Sequence, residues 1–129
     1  MATMDSASAV LAELPEVTES VRYGNPAWGI GKHVFAWVRP FSKADLKRFG
    51  DETPPTGLIL AVRTADLHEK EAILAAHPRS CFTIPHFDGF SAVLIDIDNA
   101  EYDELRELLV DGWLVYAPAD VAEAFLAGG

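Results

Sequence analysis

Five cations crowd into one 17-residue stretch: Lys32, Arg39, Lys43, Lys47 and Arg48, with Asp45 the only acid among them. Lysine and arginine grouped in this way have the chemistry of phosphate contact, because each can neutralise one backbone charge and release a counterion. Lys43 and Lys47 stand four residues apart and project together if that segment is helical. Lys32 sits in the pair Gly31-Lys32, where a hairpin tip is expected. The simpler reading is a solvated helix face plus a turn lysine. No recognition-helix pattern accompanies the cations, and the nearby aromatics suit a core. If all five touched duplex DNA, the salt slope would be bounded at roughly −4 to −5, so binding at physiological salt would be weak and sequence-independent.

A second group is Tyr23, Asn25, Trp28 and His86, which would line a pocket if the Trp28 hairpin met the Pro85–Gly89 loop. Convergent aromatic and polar side chains are the usual lining of a small-molecule site. The plainer alternative makes Trp28 a core residue and Asn25 a turn residue. His86 with Asp88, and Asp96 with Asp98, repeat a spacing of two, but no set has recognisable ligand spacing, so neither metal nor cofactor is expected. Ser20, Ser80, Ser91 and Cys81 are nucleophile types and four histidines are base types. None lies in a nucleophile elbow, a glycine-rich phosphate loop or a two-histidine zinc motif. No catalytic residue is assigned, and a non-enzymatic binding protein is the expectation.

The elements that must position these residues follow from pattern and punctuation. The 129-residue chain suits one domain spanning 1–129, and 50% hydrophobic with 23% charged residues is ordinary globular composition. Its single cysteine, Cys81, excludes an internal disulfide and fits a buried thiol in a reducing cytoplasm. No secretory leader is read at the N-terminus and no run approaches the roughly 18 apolar residues of a membrane span, so a cytoplasmic setting without a membrane partner is expected. The net charge of −10 is uneven: residues 1–64 carry seven Lys/Arg and seven Asp/Glu, while 65–129 carry three and thirteen. The acidic second half would repel a phosphate backbone, which points to a protein or small-molecule partner as the alternative to nucleic acid.

Spacing predicts a helix from Asp5 to Leu14 stopped by Pro15, then a strand from Val17 to Tyr23 and a turn at Gly24-Asn25-Pro26. A hairpin follows, Ala27–Ile30 and His33–Pro40, around a type II′ turn at Gly31-Lys32. That two-residue loop sets Ile30 against His33, Trp28 against Phe35 and Pro26 against Trp37, so Trp28, Phe35 and Trp37 are expected on one face, with Ala27, Gly29, Val34 and Ala36 on the other. A short helix capped by Ser42 runs over 41–49, and 50–57 read as a loop. Then come a strand at Leu58–Val62, a helix from Ala65 capped by Thr64, and strands at Cys81–Ile84 and Ser91–Ile97. Asp98 would cap a helix carrying Tyr102, Leu105, Leu108 and Leu109 that ends at Gly112, and a last helix starts at Pro118.

Two blocks of sequence point further. The first is Leu14-Pro15-Glu16-Val17-Thr18-Glu19 followed by Tyr23 to Trp37. The second is Phe82-Thr83-Ile84-Pro85-His86-Phe87-Asp88-Gly89-Phe90-Ser91-Ala92-Val93-Leu94, continuing to Gly112-Trp113 and Ala117-Pro118. In this order they resemble the MmcQ/YjbR-like family of small bacterial proteins. The resemblance implies a frataxin-like or double-wing fold: α+β, a single mostly antiparallel sheet with helices packed on one face. It also implies the DNA-binding label that many members carry.

Overall fold

A computed structural model of the chain describes residues 2–50 and 57–128; the loop expected over 50–57 falls mostly outside them. Six strands form one sheet in the order β1-β2-β3-β4-β6-β5: β1 (Val17–Arg22), β2 (Asn25–Ile30), β3 (His33–Val38), β4 (Ile59–Arg63), β5 (Cys81–Phe82) and β6 (Ala92–Asp96). Every pairing is antiparallel. The helices are α1 (Met4–Glu13), α2 (Lys43–Arg48), α3 (Leu67–Ala76), α4 (Tyr102–Leu114) and α5 (Ala119–Gly128).

Local chemistry sets the helix ends. Thr3 accepts from the Ser6 N–H at the start of α1, and Ser42 accepts from the Asp45 N–H at the start of α2. Asp66, rather than Thr64, caps α3, accepting from the Glu69 N–H at 2.8 Å. The Thr64 hydroxyl instead donates to the Asp66 carbonyl. Gly112 does not end α4 as expected. It lies inside the helix where α4 presses on β4, and a Cβ there would come 2.5 Å from a Val62 methyl. The glycine is needed for close helix–sheet approach, so the helix runs on through Trp113.

Each face of the sheet has its own core. On one, Trp28, Phe35, Leu60, Val62 and Ile95 pack beneath Val10 and Leu11 of α1 and Leu105, Leu109 and Trp113 of α4, joined by Ile73 of α3 and Phe125 of α5. Trp113 Nε1 donates to the Pro15 carbonyl and ties α4 to the end of α1. On the other face, Ala27, Trp37, Ile59, Ala61 and Leu94 meet Phe87 and two residues flanking α2, Phe41 and Phe49. The four longer helices therefore pack on one face, and the second is closed by aromatic side chains.

One expectation about the hairpin is corrected. Ile30 does face His33, but Trp28 pairs with Ala36 and Ala27 with Trp37, because the register shifts between Trp28 and Gly29. β3 carries one extra residue there, a β-bulge, so Phe35 and Ala36 both turn toward the helices. Trp28 and Phe35 share a face as expected. Trp37 lies on the opposite one, since beyond a bulge the alternation is inverted.

Candidate functional site

The inverted alternation puts Trp37 at the floor of an open cleft of about 740 Å³. That volume is in the range of about 300–1,000 Å³ typical of small-molecule sites. One wall is the β1–β2 turn with Arg22, Tyr23 and Asn25, another is the chain from Val38 to Ser42, and the third is His86, Phe87 and Phe90.

Backbone geometry explains the first wall. Arg22 pairs with Asn25, leaving Tyr23-Gly24 as a two-residue loop with φ of 52° and 80°. Positive φ at both central positions is the type I′ turn that suits hairpins. Glycine takes that conformation freely, whereas for tyrosine it costs on the order of 1 kcal/mol. The Asn25 amide helps hold it by donating to the Tyr23 carbonyl at 3.1 Å. Tyr23 consequently stands 92% exposed at the rim. The loop begins one residue before the turn expected at Gly24-Asn25-Pro26.

The third wall is held from behind. Lys70 of α3 is only 6% exposed, and its ammonium donates to the carbonyls of Phe87 and Phe90 at 2.7 and 2.8 Å. Burial pushes the Lys70 pKa down, and Asp88 partly opposes this. Phe87 and Phe90 meet edge to face, with centroids 5.5 Å apart, and each lies 6.3 Å from the Trp37 ring. Such tilted arrangements suit aromatic quadrupoles.

Three guanidiniums lie over these rings: Arg22 and Arg39, which line the cleft, and Arg63, 4.5 Å from the Phe90 centroid and not among the lining residues. Arg22 lies 5.3 Å from the Trp37 centroid and 5.8 Å from that of Tyr23, and Arg39 lies 5.7 Å from that of Phe87. Their circumstances differ. Arg39 Nη2 is 3.0 Å from a carboxylate oxygen of Asp45, which is 2% exposed, and Arg39 Nη1 donates to the Pro40 carbonyl. Burial pushes the Asp45 pKa up, but the Ser42 N–H and hydroxyl and the Arg39 charge together outweigh it and hold the carboxyl below its ordinary value. Arg22 pairs with no carboxylate among the described residues. No Asp or Glu is among the described residues lining the cleft, although the chain has 20.

The residues singled out from sequence divide as follows. Tyr23, Asn25 and His86 line the cleft. Trp28 does not: it is 4% exposed in the helix-covered core, on the far side of the sheet from Trp37. Lys43, Lys47 and Arg48 gather on α2, exposed to solvent, with Arg39 just before it. Lys32 lies at the opposite end of β3 from Arg39, across six strand residues, which span about 20 Å. Arg22, Trp37, Arg39, Phe87 and Phe90 were missed as cleft residues. The signal for Arg22 was its place beside the turn, while nothing in the residue pattern announced the bulge that redirects Trp37.

Of the groups of catalytic type, His86 lines the cleft, while Cys81 and His77 do not. Cys81 is buried, and burial pushes its thiol up to about 11, so it is not a ready nucleophile. His77 bonds Glu104 and lies at the end of α3. Among the described residues no three metal-ligating side chains gather, and no helix is long and apolar enough to cross a membrane.

A family model described as YjbR matches residues 12–115. The chain belongs to the YjbR family. Uncharacterised proteins of Mycobacterium tuberculosis and of Mycobacterium bovis are 40% identical to it over 130 residues, covering 98% of each chain. A crystal structure of the Deinococcus radiodurans protein DR2400, with a domain described as DUF419, is similar in fold. Its TM-score is 0.66 at 23% identity, over 99% of this chain and 89% of that one. The α+β antiparallel architecture is therefore shared with that protein.

Proposed function

We propose that this YjbR-family chain is a non-enzymatic binding protein of the cytoplasm whose ligand is a small anionic molecule held in the Trp37 cleft. The observation that carries the reading is the charge of the lining. Two arginines and, among the described residues, no carboxylate line the cleft, in a chain whose net charge is −10. An acidic protein repels anions over most of its surface, so a carboxylate-free aromatic cleft is where an anion is least disfavoured. The rings supply apolar area and the arginines supply orientation, the usual division of labour in such sites. A two-dimensional NMR titration with a small anion library tests it. Shifts should concentrate at Arg22, Asn25, Trp37 and Phe90, and shifts confined elsewhere would reject the cleft.

A second reading is nucleic acid, favoured by the exposed Lys43, Lys47 and Arg48 on α2 beside the cleft rim at Ser42. With Lys32 remote and Asp45 offsetting one charge, about three cations remain to act together, giving a salt slope near −3 on duplex DNA. Weak binding with that slope, lost in Lys43→Glu/Lys47→Glu, would support it. Tight, sequence-selective binding at physiological salt would overturn the preference for the cleft.

A further inference from the structure

We infer that the cleft takes a planar aromatic ring bearing a single anionic group, a carboxylate or a phosphate, with Trp37 as the stacking surface and Arg22 as the anion's partner. This rests on the cleft being the ligand site. The first step is the count of available cations. Arg39 is spent, since its guanidinium pairs with buried Asp45 and donates to the Pro40 carbonyl, so its charge is offset and its fork is occupied. Arg22 remains: it is exposed, without an ion pair among the described residues, and resting on two rings. Of the two arginines that line the cleft, one guanidinium is thus free to match one anionic group; Arg63, 4.5 Å from the Phe90 centroid, is not among the lining residues.

The second step is the ease with which Arg22 is redirected. Arg22 is solvent-exposed, and at exposed sites a cation–ring contact is weak, whereas a guanidinium–carboxylate contact is charge-assisted and directional. Arg22 can therefore leave the Trp37 face to meet an anion at the rim. The face it uncovers is then open to a flat ring. In the present structure the guanidinium, itself planar, lies where that ring would stack, 5.3 Å from the Trp37 centroid.

The third step is rigidity. Trp37 is 9% exposed and fixed in the sheet, and the opposing Phe87 and Phe90 are tied through their carbonyls to Lys70. A flat ligand meets preformed walls, and preorganisation of that kind lowers the cost of binding.

The experiment uses the intact chain with 1-naphthoate, 1-naphthyl phosphate and the neutral 1-naphthamide, read by calorimetry and by NMR of the tryptophan indole N–H signals. At least one anion should bind tenfold or more tightly than the amide, and the carboxylate and phosphate arms separate the two headgroups. Arg22→Gln should erase the difference between acid and amide, while Arg79→Gln, an exposed change on another part of the surface, should leave it intact. The Trp37 indole signal should shift, and those of buried Trp28 and Trp113 should not. Equal binding of acid and amide to the unaltered chain would overturn the ligand class while leaving the cleft as a site. No shift at any cleft residue with any probe would overturn both. Because the acid–amide comparison needs no variant, it stands even if Arg22→Gln folds poorly.

Discussion

Replacing Gly29 by alanine should test the device that turns Trp37 into the cleft. A Cβ at Gly29 would lie 2.5 Å from the His33 carbonyl oxygen, 2.9 Å from Val34 Cα and 3.0 Å from His33 C. All three are backbone atoms of the neighbouring strand, so no side chain can swing aside. Restoring ordinary contact, at 3.4 Å or more, requires β2 and β3 to part by nearly 1 Å beside the bulge. Overpacking of this kind costs about 1–3 kcal/mol, and each weakened ladder hydrogen bond adds about 0.5–1.5 kcal/mol. Alanine reduces unfolded-state entropy and returns about 0.4–1 kcal/mol. The net loss should be about 2–3 kcal/mol, a large share of the roughly 5–15 kcal/mol typical of a domain. Urea unfolding followed by far- and near-ultraviolet circular dichroism would measure it. Gly31→Ala is the comparison: its added Cβ meets nothing within 4 Å, and only the positive φ of 59° is strained, at about 1–2 kcal/mol. If Gly29→Ala costs under 0.5 kcal/mol, the close approach does not constrain the hairpin and the account of Trp37's orientation fails.

Lys70→Met removes the donor to the Phe87 and Phe90 carbonyls. Each keeps a backbone donor, from Phe90 N–H and Ala92 N–H, so the loss should be a moderate ~1–3 kcal/mol. Faster amide exchange at Phe90 and Ala92 is the expected readout, and unchanged protection would show that the ammonium does not hold the wall. Asp45 has a lowered folded-state pKa, so its stabilisation is fully present above the unfolded carboxyl value and is lost as pH falls through the lower folded value. Asp45→Asn should flatten that acid-side loss in pH-dependent unfolding; an unchanged slope would refute the pairing with Arg39 and Ser42. Cys81 should react with an aromatic disulfide reagent only as fast as the chain opens, since its buried thiol is raised to about 11. Rapid native-state labelling near pH 7 would contradict that burial.

The fold was legible because its signals are local. Pro15 after α1, Ser42 before α2, Gly31-Lys32 between β2 and β3, and the alternation through β6 each state their structure within a few residues. The misreading of Gly112 was decided by a tertiary contact, and that of the α3 cap by a choice between two nearby acceptors. Gly112 looks like a helix terminator in sequence, and only the approach of α4 to Val62 makes it an interior residue. Thr64 and Asp66 are both acceptable caps by type, and the hydrogen bonds of this turn give the cap to Asp66.

The cleft was only half legible. Tyr23, Asn25 and His86 could be grouped because two loops carrying polar and aromatic residues were expected to meet. Trp28 was included and Trp37 omitted because the hairpin register was carried through without a bulge, and one inserted residue reverses the faces beyond it. The cations show a similar limit. Sequence places Lys32, Arg39, Lys43, Lys47 and Arg48 within 17 residues, but the extended strand β3 intervenes and separates Lys32 from the rest in space. Asp45, the only acid in that stretch, is also not a mere diluent of charge. Buried and bonded to Ser42 and Arg39, it removes one guanidinium from use and leaves Arg22, seventeen positions before Arg39, as the cation over the cleft floor without an ion pair among the described residues. Selectivity in such a cleft then depends less on how many cations lie nearby than on which of them is already paired.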